Sequence, residues 1–98
     1  MSDLDIPLEV KKYSVSIESC VPCNYSAHTF RVVKDLLGNY QHIIDQVVII
    51  MGTSGVFEVK VDNQPLFSKK ALKRHPKRGE ILQLFKKLVG PKVTTYPR

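Results

Sequence analysis

The stretch SIESCVPCNYSA, residues 16–27, is the point at which the chain changes from strand periodicity to helix periodicity. Before it, apolar and polar side chains alternate, which predicts a strand over residues 10–19. After it, apolar residues recur every three or four positions, which predicts an amphipathic helix over residues 24–40. Pro22 suits the first turn of this helix, and Gly38 is a candidate left-handed cap at its end. The predicted buried stripe of the helix consists of Ala27, Phe30, Val33 and Leu37, and Leu36 and Tyr40 flank it.

The remaining chain predicts three more strands and a second helix. The segment of residues 42–51 is short and rich in β-branched side chains, which favours a strand. Residues 56–69 have the alternation and the central turn of a hairpin, with Pro65 at a strand start or on an edge. A second apolar stripe, Ile81, Leu84, Phe85 and Leu88, predicts a helix over about residues 78–89 that ends at Gly90-Pro91. The order βαβββα requires a parallel crossover plus an antiparallel hairpin. The predicted class is therefore α/β, with a mixed four-stranded sheet and two main helices.

Length and composition predict one domain. The chain has 98 residues, of which 43% are hydrophobic, enough for one core. We expect a lead-in at residues 1–9, a domain at 10–90 and a tail at 91–98. The longest apolar run is far shorter than the ~20 residues that span a bilayer, and the first residues do not resemble a signal peptide. These features predict a cytoplasmic protein that does not enter a membrane.

Cys20 and Cys23 form a C-x-x-C motif where the predicted strand meets the predicted helix. Unpaired N–H groups and the positive end of the peptide dipole at a helix N-terminus favour a thiolate, so this position favours thiol–disulfide exchange. Cys20 ends the strand and should project from it, whereas Cys23 should be partly covered in the first helical turn. We therefore expect Cys20 to attack and Cys23 to resolve. Two structural cysteines or a zinc site with about four ligands are the alternatives.

Several segments together resemble the selenoprotein W-like (Rdx) family. These are SIESCVPCNYSA, GTSGVFEVKVDNQPLFSKK at residues 52–70, and a late helix preceded by HPKRGEI at residues 75–81. The resemblance implies a thioredoxin-like fold and a thiol-based redox activity. Cys20 matches the family's first motif cysteine, and Cys23 matches the place where some members carry selenocysteine. Selenium at the second position suggests that this position is the reactive one, so the match implies that Cys23 attacks rather than Cys20.

Other residues are candidates for supporting this site. Gly52 and Gly55 bracket a link that should turn tightly beside the Cys20 loop, in place of the cis-proline link of thioredoxins. Tyr25 either flanks the dithiol or packs, and alternation places Phe57 in the core. The last two candidates, Ser68 and Lys69, begin a basic run that extends to Arg78.

The charge is concentrated in the second part of the chain. Residues 1–59 carry four basic and seven acidic side chains, and residues 60–98 carry eleven basic and two acidic ones. The resulting basic face predicts a solvated surface or a site for an acidic protein partner. Nucleic acid is not expected, because no aromatic residues are interleaved with these cations.

The function that these observations predict is that of a small thiol–disulfide oxidoreductase acting on protein thiols or disulfides. No metal or organic cofactor is expected, and glutathione or a thioredoxin system is the expected electron source. The alternative is a non-catalytic interaction module that binds through the basic face, with the two cysteines as a regulatory redox switch.

Overall fold

The computed structural model describes residues 11–97, so the predicted lead-in at residues 1–9 lies outside the described residues. The elements follow the predicted order, with one short additional helix. They are β1 (Tyr13–Cys20), α1 (Ser26–Tyr40), β2 (Ile44–Gly52), β3 (Phe57–Val61), β4 (Gln64–Ser68), α2 (Lys69–Leu72) and α3 (Glu80–Val89), with a 3-10 turn at Gln41–Ile43. The α/β class and the βαβββα order are therefore confirmed, and they are compatible with the predicted thioredoxin-like fold.

The sheet is mixed, with the strand order β2-β1-β3-β4. The inner strand β1 runs parallel to β2, and its last residue, Cys20, lies opposite Gly52 at the end of β2. On its other side β1 is antiparallel to β3. The cysteine motif consequently begins at the end of a strand that has a neighbour on both sides.

The predicted hairpin is formed by β3 and β4. Its two turn residues, Asp62 and Asn63, have φ angles of 51° and 68°. Asp and Asn tolerate these left-handed values better than most residues, which is why the pair favours a tight hairpin turn. Pro65 lies in β4, at an edge of the described sheet, where its missing N–H does not interrupt an inner ladder.

Helices α1 and α3 pack on one face of the sheet and enclose the core. Tyr40 of α1 and Phe85 of α3 meet with ring centroids 5.2 Å apart, and Tyr13 of β1 meets Phe85 at 5.7 Å. The alternation in β1 sends Val15 and Ile17 into this core. The buried cluster consists of Val15, Ile17, Val32, Leu36, Tyr40, Ile43, Phe57, Val59, Val61, Phe67, Ile81 and Phe85.

Helix α1 differs from its prediction at its start. It begins at Ser26, and Pro22 lies in the preceding turn rather than in a first helical turn. The reason is local, because Asn24 adopts a left-handed φ of 58°, which an α-helix cannot contain. Both cysteines therefore lie before the helix.

The helix ends at Tyr40 as predicted, but the predicted cap is wrong. Gly38 is not a cap but lies inside the helix, which continues to Tyr40 and into the 3-10 turn. The helix is extended because the Tyr40 ring is buried against Phe85.

The predicted buried stripe of α1 is wrong in its first half, whereas its predicted flanks, Leu36 and Tyr40, are buried. The buried positions are Thr29, Val32, Leu36 and Tyr40, whereas Ala27 and Phe30 are exposed. Thr29 can occupy the buried face because its hydroxyl donates to the carbonyl of Tyr25 at 3.4 Å.

The C-terminal part matches its prediction more closely. Helix α3 begins at Glu80 and ends at Val89. The next residue, Gly90, caps it with a φ of 94° and donates its N–H to the carbonyl of Lys86 at 3.1 Å. Ile81 and Phe85 are buried as predicted, but Leu88 is 49% exposed. The sequence did not indicate α2, which Ser68 caps by accepting the N–H of Ala71 at 3.1 Å.

Two features are absent from residues 11–97. None of the helices in this part of the chain has both the length and the apolar character needed to cross a bilayer. Within the same range, no three Cys, His, Asp or Glu side chains are grouped so that they could hold a metal ion.

Candidate active site

Cys20 and Cys23 are joined by a disulfide, with their Cα atoms 5.3 Å apart. This separation lies within the usual range for disulfide-bonded residues. The ring that the bond closes contains the motif alone, since the two cysteines are three positions apart. The closed ring thus lies between the end of β1 and the start of α1.

Backbone hydrogen bonds fix the cysteine turn to the link between β2 and β3. The N–H of Cys20 donates to the carbonyl of Val56, and the N–H of Val21 donates to the carbonyl of Gly52, both at 2.9 Å. The N–H of Tyr25 donates back to the carbonyl of Cys20 at 3.4 Å. The predicted close approach of the glycine link to the Cys20 loop is thus confirmed.

The two glycines of this link meet different requirements. A Cβ atom at Gly52 would lie 2.7 Å from Cγ1 of Val56, so a larger residue would push the link away from the turn. Gly55 instead has a φ of 75°, a left-handed value that glycine adopts without strain. Both glycines therefore help to shape the backbone that holds the cysteine turn.

The exposure of the two cysteines is the reverse of what we predicted. Cys20 is only 1% exposed, because it ends an inner strand and its N–H is bonded to the neighbouring link. Cys23 is exposed, because it lies in the turn before α1 and not within a helical turn. The expectation that Cys20 projects and Cys23 is covered was wrong.

An aromatic cluster lies beside the cysteine turn. The rings of His28 and His75 stack in parallel, with centroids 4.0 Å apart and planes inclined by 5°. The ring of Tyr25 meets His75 edge-on at 4.4 Å, and Phe57 lies within 6.0 Å of both histidines. Tyr25 thus connects this cluster to Cys20 through its backbone N–H, while its ring packs against the core.

The environment of His75 disfavours its charged form. Burial, followed by the adjacent His28 ring and the Lys69 ammonium group, lowers the pKa of His75. Its Nδ1 atom is buried and has no hydrogen-bond partner among the described residues. No sequence signal pointed to this cluster, because His75 reaches α1 only through the folded chain.

An ion pair holds the segment that carries His75. Arg74 donates to both carboxylate oxygens of Glu80, at 2.7 and 2.8 Å, and also to the carbonyl of His75 at 3.1 Å. Hydrogen bonds from Arg74 and then from the N–H of Lys77 lower the pKa of Glu80 to about 2. The charge of Arg74 thus orders the segment beside the site.

The candidate supporting residues Ser68 and Lys69 lie in different settings. The Ser68 hydroxyl caps α2, which is a structural role. The Lys69 ammonium group lies 5.8 Å from the centroid of the Tyr25 ring, so the structure brings this cation near the aromatic cluster. Lys69 and Lys70 of α2, together with Lys73 directly after it, line an open concavity of about 740 Å³. The carboxylates of Glu18 and Glu58 line the same concavity.

The fold and the site together define a small α/β protein with a redox-capable cysteine pair at the end of its inner strand. The chain belongs to the Rdx family, whose model matches residues 14–87. Family membership and the cysteine pair support a thiol redox role. Among curated proteins, none matches this sequence.

Solved structures of other proteins resemble this fold, and two of them show the extent of the likeness. The selenoprotein W-related protein from Vibrio cholerae superposes with a TM-score of 0.75 at 21% identity, covering 82% of this chain and 100% of that chain. A protein from Bordetella parapertussis superposes with a TM-score of 0.73 at 19% identity, covering 79% of this chain and 98% of that chain. At these identities the likeness concerns the fold alone.

Proposed function

We propose that the protein is a thiol–disulfide oxidoreductase in which Cys23 exchanges with the partner and Cys20 resolves. The observation that carries this assignment is the difference in exposure between the bonded cysteines, with Cys23 open to solvent and Cys20 buried. An attacking sulfur must reach the partner disulfide in line, which a buried sulfur cannot do. The match of Cys23 to the selenocysteine position of some family members supports the same assignment.

The exchange consists of two displacements. The Cys23 thiolate attacks one sulfur of the partner disulfide, forms a mixed disulfide and releases the other partner sulfur as a thiolate. The Cys20 thiolate then attacks the sulfur of Cys23, closes the intramolecular disulfide and releases the second partner thiolate. Two electrons pass from the protein dithiol to the partner, whose two thiolates take up the protons that the dithiol lost.

The start of α1 supports a thiolate at Cys23. Tyr25, at the helix N-cap, contributes no side-chain hydrogen bond, and the first turn contains no acidic residue. The N–H groups and the positive end of the helix dipole are therefore not neutralised by a side chain of that turn, which favours a nearby anion. A thiolate three residues before the helix should gain from this field.

The electron source belongs to the proposal. A reducing compartment such as the cytoplasm would return the disulfide to the dithiol through glutathione or a thioredoxin system. This cycle needs no metal or organic cofactor. Protein disulfides are the proposed substrate class.

The matched single variants Cys20→Ser and Cys23→Ser test the assignment. Each reduced variant is mixed with 2-hydroxyethyl disulfide, and the mixed disulfide is measured by intact mass over time. Cys20→Ser, which retains the exposed sulfur, should form the adduct at least about tenfold faster than Cys23→Ser. A faster reaction of Cys23→Ser would reverse the roles, and no adduct in either variant would contradict the proposed function.

A second candidate function is a non-catalytic module that binds an acidic protein partner. The observation that favours it is the concavity in which the ammonium groups of Lys69, Lys70 and Lys73 outnumber the carboxylates of Glu18 and Glu58. Binding through such a surface weakens as salt screens the charges. Partner affinity that falls with added salt and is unchanged in the Cys23→Ser variant would favour this module over the oxidoreductase.

A further inference from the structure

A groove without charged side chains opens beside the disulfide. Its volume is about 190 Å³, somewhat larger than the 150 Å³ apolar cavity that holds a benzene molecule. The residues that line it include Cys20 and four apolar side chains, Val21, Phe30, Ile49 and Met51. In a chain with 24% charged residues, this patch is chemically distinct from the rest of the surface.

The apolar walls of the groove face solvent. Phe30 on α1 is 65% exposed, Met51 and Ile49 on β2 are 68% and 36% exposed, and Val21 within the motif is 55% exposed. A single exposed apolar residue needs no explanation, but four around one groove indicate a binding surface. Because Cys20 lines the groove and is bonded to the exposed Cys23, a ligand in the groove lies next to the reactive sulfur.

The same surface continues along an edge strand. In the described part of the chain, β2 has a sheet neighbour on one side only, and residues 47–51 are consecutively apolar. Edge strands are usually protected by lysine, proline or a bulge. The register shift of β2 lies at its start, after Ile44, and the segment VVIIM has none of these devices. An edge of this kind can pair with the backbone of an extended polypeptide, whose alternate side chains then reach the groove.

We propose that the groove and the edge of β2 bind an extended apolar segment of a protein partner, adjacent to the partner cysteine that exchanges with Cys23. This proposal rests on the proposed function and names its substrate class. Glutathione does not fit the groove, because its carboxylates would meet no cation there. A second copy of the chain is disfavoured because each copy carries a net charge of +6, whereas an uncharged segment is not repelled.

Two activated peptides of equal length test the proposal on the full chain. Each has a central cysteine capped as a 2-pyridyl disulfide, flanked in one peptide by leucine and valine and in the other by alternating lysine and glutamate. The reduced Cys20→Ser variant provides Cys23 as the only thiol, and its attack releases pyridine-2-thione, which is followed by absorbance. The apolar peptide should react about tenfold faster, because its side chains leave water in the groove.

Surface variants in the Cys20→Ser background link that preference to the groove. Phe30→Ser should slow the apolar peptide about fivefold, and Met51→Ser on the opposite wall should act in the same direction. Serine and phenylalanine have similar helix propensities, so Phe30→Ser should leave α1 intact. Leu88→Ser on α3, where leucine is also exposed, is the matched control and should leave the rate unchanged.

The outcomes separate this inference from the proposed function. The 2-pyridyl disulfide of 2-mercaptoethanol reports the reactivity of Cys23 without any docking. If this small probe does not react, the proposed function fails and the substrate class fails with it. If the small probe reacts but the two peptides react equally, or if Phe30→Ser and Leu88→Ser have the same effect, the docking proposal is refuted and the proposed function stands. A dimer in sedimentation that Phe30→Ser dissociates would assign the surface to a second copy instead.

Discussion

Reducing the Cys20–Cys23 disulfide should lower the free energy of unfolding by only about 2 kcal/mol. The closed ring spans four residues, because the cysteines are three positions apart. For a ring of about four residues, the loop-entropy relation gives about 6 cal/mol/K, or about 1.9 kcal/mol at 25 °C. Cys20 should stay buried as a free thiol, since a thiol behaves as a small apolar group. The fold should therefore persist in both redox states.

Urea denaturation of the oxidised and reduced protein measures this difference. The chain has no tryptophan, so circular dichroism is the suitable signal. With a slope of about 1–3 kcal/mol per molar urea, the midpoint should fall by about 0.6–2 M on reduction while the slope stays constant. The Cys23→Ser variant should match the reduced protein and should not respond to the reductant.

Two results would refute this reasoning. A loss of more than about 4 kcal/mol would exceed what the closure of so small a ring supplies. Unfolding on reduction would make the disulfide a structural clamp, which conflicts with a protein that cycles between dithiol and disulfide. Either result would remove the physical basis of the proposed function.

Three further predictions concern the surroundings of the site. Glu80→Gln should lower the free energy of unfolding at pH 7 by about 1 kcal/mol, as expected for a partly exposed ion pair. In urea titrations this difference should disappear as the pH falls from 4.5 to about 2, where Glu80 itself takes up a proton. The lowered pKa of His75 means that the unfolded chain binds a proton more readily there, so stability should fall as the pH drops below 6.5. His75→Phe should weaken this dependence of stability on pH, and an unchanged dependence in the variant would contradict the role of His75. Gly52→Ala should destabilise the fold by about 1–3 kcal/mol in thermal melts, because its Cβ would contact Val56, whereas Gly38→Ala, with open space around its Cβ, should not.

Local patterns in the sequence predicted most of the architecture. Alternation in residues 10–19 identified β1, and the Asp62-Asn63 pair identified the hairpin, because each signal depends on neighbours in the chain. The position of the cysteine motif at a strand end was predictable for the same reason. The glycine link could be placed beside the motif because sequence-distant segments of a βαβββα sheet meet at a strand end.

The details of the site were harder to predict because they depend on packing at a distance. Phe30 satisfies the helical periodicity of a core residue, yet it lies on the groove, while Thr29 is buried in its place. Local rules often fail at a functional surface, where an apolar side chain is exposed for binding. The exposure of Cys23 followed from the left-handed Asn24, whose conformation no apolar pattern encodes.

The contacts around His75 were not predictable from the sequence at all. The residue lies 47 positions after His28, and only the folded chain stacks the two rings. Likewise, the basic run predicted a solvated face, but Arg74 is bonded to Glu80 and orders the segment that carries His75. Charge patterning gives the sign of a surface, whereas it does not identify the pairs within it.

The two residues inside the disulfide ring, Val21 and Pro22, belong to neither β1 nor α1 and are exposed. Substitutions at such positions usually change the free energy of a fold by less than about 0.5 kcal/mol. A two-electron couple shifts by about 30 mV for each 1.4 kcal/mol by which a substitution favours the dithiol over the disulfide or the reverse. The reduction potential of the cysteine pair can therefore be adjusted at these two positions while the sheet and its core stay unchanged.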